Sequence, residues 1–98
     1  MHLTSTLLLL QIALRLGNEY RLANTNQFIG VIYSFIGDFN RSLEYYKKST
    51  KIRIKLGQVL EISQINNGIG YLYFLNGQFE EALNYFIKAL KSIGDIRN

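Results

Sequence analysis

The chain has 98 residues, 48% of them hydrophobic, so it can form one small domain with a single modest core. It contains no cysteine and no proline, which excludes a disulfide-stabilised scaffold and a cysteine-ligated zinc site. The net charge of +4 is too small an excess to indicate a nucleic-acid-binding arm. Because cysteine is absent, we expect a reducing compartment, the cytoplasm.

Residues 7–14 form the most apolar stretch and the one closest in composition to a secretory leader. No lysine or arginine precedes them, and no small-residue cleavage site follows. Arg15 ends the stretch well short of the roughly 18 residues that a membrane span needs. We therefore interpret it as part of a buried helix and expect no membrane association.

Five helices are predicted from apolar residues at helical spacing, and a glycine follows each of them. Such a glycine can take the left-handed conformation that ends a helix without a steric penalty. Only two or three residues separate the helices, so neighbours must run antiparallel. The predicted helices span 3–16, 19–36, 39–56, 59–76 and 79–93, and the glycines that end them are Gly17, Gly37, Gly57, Gly77 and Gly94.

The two halves of the chain repeat each other at an offset of 40 residues. A period between about 20 and 50 residues is typical of repeat proteins, in which each unit buries its apolar face only against its neighbours. The positions that carry the same residue 40 further on are Asn26, Ile29, Gly30, Tyr33, Gly37, Phe39, Leu43, Tyr45, Lys48 and Lys51.

Gly30 and Gly70 lie inside predicted helices, where each costs about 1 kcal/mol relative to alanine. The cost recurs in both repeats, and Ser42 and Ala82, twelve residues further on, are also small. We therefore expect the two helices of each hairpin to cross closely at these positions. Larger side chains would fill the space on either side and form the core: Tyr33, Phe39, Leu43 and Tyr46, and Tyr73, Phe79, Leu83 and Phe86.

This spacing resembles the tetratricopeptide repeat, whose signature is W-x2-L-G-x2-Y followed by A-x3-F. Asparagine replaces the usual first aromatic, and the period of 40 residues resembles a subgroup with long repeats. Both repeats also have a Gly-x-Phe turn between their helices. The matching residues are Asn26, Ile29, Gly30, Tyr33, Ser42 and Tyr46 in the first repeat, and Asn66, Ile69, Gly70, Tyr73, Ala82 and Phe86 in the second.

The resemblance implies an all-α fold of antiparallel helix hairpins stacked as a right-handed superhelix. It divides the chain into 1–17, the second helix of a truncated preceding repeat; 18–57, the first repeat; and 58–98, the second repeat with a short uncapped end. It also implies a scaffold for protein–protein recognition that binds a peptide or a helix in its concave groove. The implied groove residues are Asn24, Gln27, Val31, Ser34 and Phe35 in the first repeat, and Gln64, Asn67, Tyr71, Phe74 and Leu75 in the second.

One function of the family is disfavoured. Repeats that bind the carboxylate end of a chaperone tail use lysine and arginine in the groove, whereas the matching positions here are uncharged.

The basic residues of the second repeat helix are expected on the convex side as a solvated face, with an acidic protein or an RNA backbone as the alternative. These residues are Arg41, Lys47, Lys48, Lys51, Arg53 and Lys55.

The alternative to a peptide-binding scaffold is a structural or oligomerisation module that associates through its uncapped ends. An apolar strip left partly uncovered in a monomer usually marks an interface. We therefore expect a homodimer or an exchange of helices, unless the chain is part of a longer repeat protein. The residues of this strip are Leu7, Leu8, Leu10 and Leu14.

The sequence gives little support to catalysis. His2 is the only histidine, and Glu80 and Glu81 are adjacent, so they point to different sides of a helix. No phosphate-binding glycine loop and no metal-ligand spacing occurs. We therefore expect no enzyme activity, no cofactor and no metal.

Overall fold

The computed structural model describes the backbone of residues 2–97 and the side chains of residues 4–94. Four helices are separated by short turns: α1 (His2–Ile36), α2 (Phe39–Leu56), α3 (Val59–Leu75) and α4 (Phe79–Arg97). α1 and α2 form one hairpin, α3 and α4 form another, and α2 packs against α3. The described chain is therefore an all-α stack of helical hairpins, as predicted.

The three turns share one geometry. Gly37, Gly57 and Gly77 have φ angles of 88°, 70° and 78°, in the left-handed region that glycine adopts without strain. In each turn, the amide after the glycine donates to the carbonyl five residues earlier, at 2.9, 3.0 and 2.9 Å. These bonds complete the glycine-capped helix end that the sequence predicted at all three positions.

Two of the five predicted helix ends are wrong. α1 runs without a break through Gly17, and α4 continues past Gly94. A glycine permits a helix end but does not impose one. Asn18 had the side chain to cap a new helix, but its oxygen accepts a hydrogen bond from the Arg21 guanidinium instead. The assignment of residues 1–17 to a preceding repeat stays a prediction.

Alanine at Gly17 is expected to stabilise the protein by up to about 1 kcal/mol, because alanine is the better helix former. The added methyl group would meet only the Arg21 guanidinium, at 3.9 Å. Gly57→Ala is the matched control, and its φ of 70° predicts a loss of about 1 kcal/mol. Urea unfolding followed by circular dichroism measures both changes. A loss of stability in Gly17→Ala would instead indicate a turn at residue 17.

The core lies where the two hairpins meet, around Tyr46 of α2. The Tyr46 side chain is 6% exposed and lies between Gly30 of α1 and Gly68 of α3. A Cβ added at Gly30 would lie 3.0 Å from the ring, and one added at Gly68 would lie 3.1 Å from it. The two glycines therefore allow one aromatic ring to pack against two helices at once. The rest of this core is Ile65, Ile69 and Leu72 of α3.

The close crossing predicted within each hairpin is confirmed. In the first hairpin, the Ser42 hydroxyl donates to the Gly30 carbonyl at 2.6 Å. In the second, a Cβ added at Gly70 would lie 2.7 Å from the Phe86 ring and 3.2 Å from the Ala82 carbonyl oxygen. Larger residues at either crossing would force the helices apart.

A second bond between helices recurs in both hairpins with its direction reversed. In the first hairpin, the Ser49 hydroxyl of α2 donates to the Ala23 carbonyl of α1 at 2.7 Å. In the second, the Ser63 hydroxyl of α3 donates to the Ala89 carbonyl of α4 at 2.8 Å. Ser63 is equivalent to Ala23, and Ala89 is equivalent to Ser49. The serine therefore lies on α2 in the first hairpin and on α3 in the second, and both hairpins have the hydrogen bond.

The two copies of the apolar stripe have different surroundings. Phe39 and Leu43 of α2 pack against the core, whereas the equivalent Phe79 and Leu83 of α4 are exposed. The cause is that α3 covers the stripe of α2, while no described helix follows α4. The prediction that Phe79 and Leu83 belong to the core is therefore wrong.

Candidate functional site: the groove between α1 and α3

A buried arginine lies at the floor of the groove between α1 and α3. Arg53 belongs to α2 and is 2% exposed, and it lines a cavity of about 300 Å³ between the other two helices. The prediction that Arg53 belongs to a solvated convex face is therefore wrong. The expectation that the groove lacks lysine and arginine is also wrong, although this arginine is almost completely covered.

Four hydrogen bonds to neutral side chains hold the Arg53 guanidinium. Nε donates to Ser49 Oγ at 3.2 Å, and Nη1 donates to Gln58 Oε1 at 2.7 Å. Nη2 donates to Asn24 Oδ1 at 2.7 Å and to Gln27 Oε1 at 2.8 Å. Together these bonds compensate much of the cost of burying a charged group.

Burial lowers the pKa of Arg53, and the nearby Glu61 carboxylate opposes this effect. Gln58 connects the two charged residues, because its amide donates to Glu61 Oε2 at 3.0 Å while its carbonyl accepts from Arg53. An arginine keeps its charge at neutral pH even when it is partly desolvated. The groove floor therefore contains a buried cation, with a carboxylate at its rim.

Arg53 fixes the orientation of two amides in the groove. The carbonyl oxygens of Asn24 and Gln27 point at the guanidinium, so their NH2 groups are directed away from it. Both residues line the cavity. The arrangement thus presents two oriented hydrogen-bond donors of the kind that can bind the carbonyl oxygens of a ligand.

The predicted groove residues fall into three places. The cavity above Arg53 is lined by four of them, and Val31, one of the four, also packs against the core. A smaller cavity of about 160 Å³ near the turns is lined by Ser34 and Leu75. The remaining residues are exposed. The cavity residues are Asn24, Gln27, Val31 and Gln64, and the exposed ones are Phe35, Asn67, Tyr71 and Phe74.

Tyr71 and Phe74 form an aromatic cluster with Phe79, which the sequence analysis had placed in the core. The ring centroids of Tyr71 and Phe74 are 6.4 Å apart, and those of Phe74 and Phe79 are 5.6 Å apart. The three side chains are between 51% and 63% exposed. The cluster is therefore an accessible apolar surface on α3 and at the start of α4.

The predicted self-association strip lies on the first half of α1. Leu7, Leu8, Leu10 and Leu14 are all exposed, and so is Leu9, which the sequence analysis did not include. These leucines leave a large apolar area of α1 exposed in the isolated chain. Whether a second copy covers it stays a prediction.

Nothing in the described part of the chain is arranged for metal binding, since no three side chains of the His, Cys, Asp or Glu type come together there. The side chain of His2 lies outside the described residues. None of the described helices combines the length and the hydropathy that a bilayer-spanning segment requires.

The stacked hairpins, their glycine-capped turns and the groove between α1 and α3 define a helical-repeat protein. The tetratricopeptide repeat model matches residues 23–53 and 63–95, about two thirds of the chain, and each match covers parts of one hairpin. The chain therefore belongs to the tetratricopeptide repeat family, as the resemblance implied. No curated protein and no solved structure matches it significantly. Tetratricopeptide repeats are in general modules of protein–protein interaction and typically act as scaffolds without catalysis.

Proposed function

We propose that the protein binds an extended peptide or a helix of a partner protein in the groove between α1 and α3. The observation that carries this proposal is the Arg53 network, which orients the amides of Asn24 and Gln27 over an open cavity. Side-chain amides of this kind bind the main chain of a peptide, and exposed aromatics nearby supply apolar anchors.

The spacing along α3 defines what such a ligand needs. Tyr71 and Phe74 lie seven and ten residues after Gln64, which corresponds to about 10 and 15 Å along the helix. An extended peptide covers that distance with about three to five residues. Glu61 lines the same cavity and would repel an acidic side chain there. We expect a neutral or basic segment with an apolar anchor three to five residues away.

The double variant Tyr71→Ala, Phe74→Ala is expected to weaken peptide binding by about 30-fold or more, because such anchors carry about 2 kcal/mol or more. Peptides selected by phage display on the wild-type protein are the probes, and fluorescence anisotropy measures their affinity. Leu83→Ala, Leu90→Ala is the matched control, since it removes two exposed apolar side chains of α4 that lie outside the aromatic cluster.

A further variant tests the amides separately from the aromatics. Gln27→Glu keeps an acceptor for Arg53 but removes the NH2 donor. It should weaken peptide binding while the fold is retained. Equal affinity for wild type, Gln27→Glu and the aromatic double variant would refute binding in the groove.

A second candidate function is self-association, favoured by the exposed strip on the first half of α1. We take the exposed stripe of α4, which includes Leu83 and Leu90, as its acceptor in a second copy. Light scattering after size-exclusion chromatography should give a dimer for the wild type and a monomer for Leu10→Glu or Leu83→Glu. A mixture of the two variants should recover dimers, because one of the two exchanged contacts is intact. A wild-type mass that stays monomeric at every concentration would exclude this function.

A further inference from the structure

A further cavity is lined by residues of α2, α3 and α4 and shares no lining residue with the groove cavity. Its volume is about 300 Å³. Ile54, Ile69 and Tyr85 provide apolar contacts in it, and three lysines surround it. No acidic residue lines it. We call this the lysine cleft, and its lysines are Lys47, Lys51 and Lys88.

The three lysines are not neutralised by the described part of the chain. The ion pairs found there join Arg41 to Asp38 and Lys48 to Glu44, and neither includes a cleft lysine. The charges of the cleft are therefore available to a ligand.

One substitution between the repeats accounts for the unpaired charge of Lys88. Lys88 is equivalent to Lys48, which lies 3.7 Å from Glu44 one helical turn earlier. The residue equivalent to Glu44 is Asn84, which carries no charge. Lys88 lies over the Tyr85 ring, with Nζ 4.6 Å from the centroid, as Lys48 lies over the Tyr45 ring at 4.5 Å. This contact keeps the ammonium group beside the cleft.

Ile54 gives the cleft an accessible apolar side chain beside the lysines, since it is 65% exposed. A ligand that fits must bury an apolar side chain and also bring negative charge to three lysines. An RNA backbone would supply charge but leave the apolar wall uncovered, and a flat membrane surface does not enter a cleft between helices. An amphipathic helix supplies both, since its apolar residues lie on one face with acidic residues at the edges.

We propose that the lysine cleft is a second protein-binding site, which takes an acidic amphipathic helix of a partner. It is separate from the groove and differs from it in charge, because Arg53 and Glu61 both line the groove cavity, whereas the charged residues that line this one are all lysines. The proposal does not depend on binding in the groove.

The test uses a fluorescein-labelled helical peptide with leucine at positions i, i+3, i+4 and i+7 and glutamate elsewhere. Its binding to the full chain is measured by fluorescence anisotropy. The cleft variant Lys47→Gln, Lys51→Gln, Lys88→Gln is expected to bind about tenfold more weakly, which corresponds to about 0.5 kcal/mol for each exposed ion pair. The matched control Lys48→Gln, Lys55→Gln, Lys91→Gln loses the same charge outside the cleft and should stay within about threefold of wild type.

Three further arms decide the class of ligand. A peptide with serine in place of leucine should bind at least about tenfold more weakly, since Ile54 then has no apolar partner. The variant Tyr71→Ala, Phe74→Ala should bind the leucine peptide like wild type, which separates the cleft from the groove. Equal losses in the two triple lysine variants, equal binding of the serine peptide, or tighter binding of oligouridylate or phosphatidylserine vesicles would overturn the proposal.

Discussion

Replacing Tyr46 by alanine is expected to lower the free energy of unfolding by about 3 to 5 kcal/mol. The ring contacts α1 and α3 from its position on α2, and Gly30 and Gly68 of those helices lie directly against it. Gly30 and Gly68 have no side chain that could move into the space that the ring leaves. The resulting cavity should therefore stay open, which places the loss at the upper end for such substitutions. The free energy of unfolding of a domain of this size is about 5 to 15 kcal/mol, so the variant should be close to unfolding.

Phe86→Ala is the matched control for this prediction, because Phe86 occupies the equivalent position in the second repeat. Its ring faces Gly70 of α3 but is only half-buried, since no described helix covers its other side. We expect a loss of about 1 to 2 kcal/mol. Urea unfolding measures the free energy of unfolding of both variants, and the comparison requires that their m values be equal. Equal losses would mean that Tyr46 does not connect the hairpins in the way its contacts indicate.

Replacing Arg53 by methionine is expected to lower stability by about 2 to 3 kcal/mol and to weaken peptide binding in the groove. Methionine fills much of the same volume but donates no hydrogen bond, so the oxygens of Asn24, Gln27 and Gln58 lose their donor. The two groove amides would then rotate freely, and a ligand would have to bear the cost of ordering them.

Lys55→Met is the control, because it removes a cation from an exposed position two residues further along α2. Its stability should stay within about 0.5 kcal/mol of wild type. Arg53→Lys keeps the charge but changes the geometry of the donors. An ammonium group cannot reach all four of the oxygens that surround the planar guanidinium. We expect it to recover less than half of the lost stability. Wild-type stability and affinity in Arg53→Met would contradict the role of the network.

Most of the fold was predictable because its signals are local. The ends of the helices beside Gly37, Gly57 and Gly77 follow from glycine after an apolar helical run, and the structure has them within a residue or two. The prediction failed at Gly17 and Gly94. At those positions the helix continues through the glycine. A glycine after an apolar run is a local signal, and it does not show whether the chain folds back into a second helix.

The groove was predictable in outline but not in its chemistry. Arg53 follows Ser42, Tyr46 and Ser49 at spacings that place all four on the buried face of α2. Charge alone groups Arg53 with the lysines of the convex side, whereas its position on the helix predicts burial. The exposed aromatics of α3 were placed in the groove by resemblance alone. The contact of Phe74 with Phe79 depends on the angle between α3 and α4, which spacing does not give.

The exchange of serine and alanine between the hairpins determines which helices are compatible partners. A mispaired α1 and α4 would bring Ala23 against Ala89, with no hydroxyl to close the crossing, and would forfeit about 1 kcal/mol. A mispaired α3 and α2 would force Ser63 and Ser49 into a space that fits one hydroxyl. The two hairpins thus differ in which helix carries the hydroxyl, and this difference disfavours an exchange of helices between them. One hydroxyl on α2 and one on α3 therefore favour the native pairing of helices over the mispaired combinations.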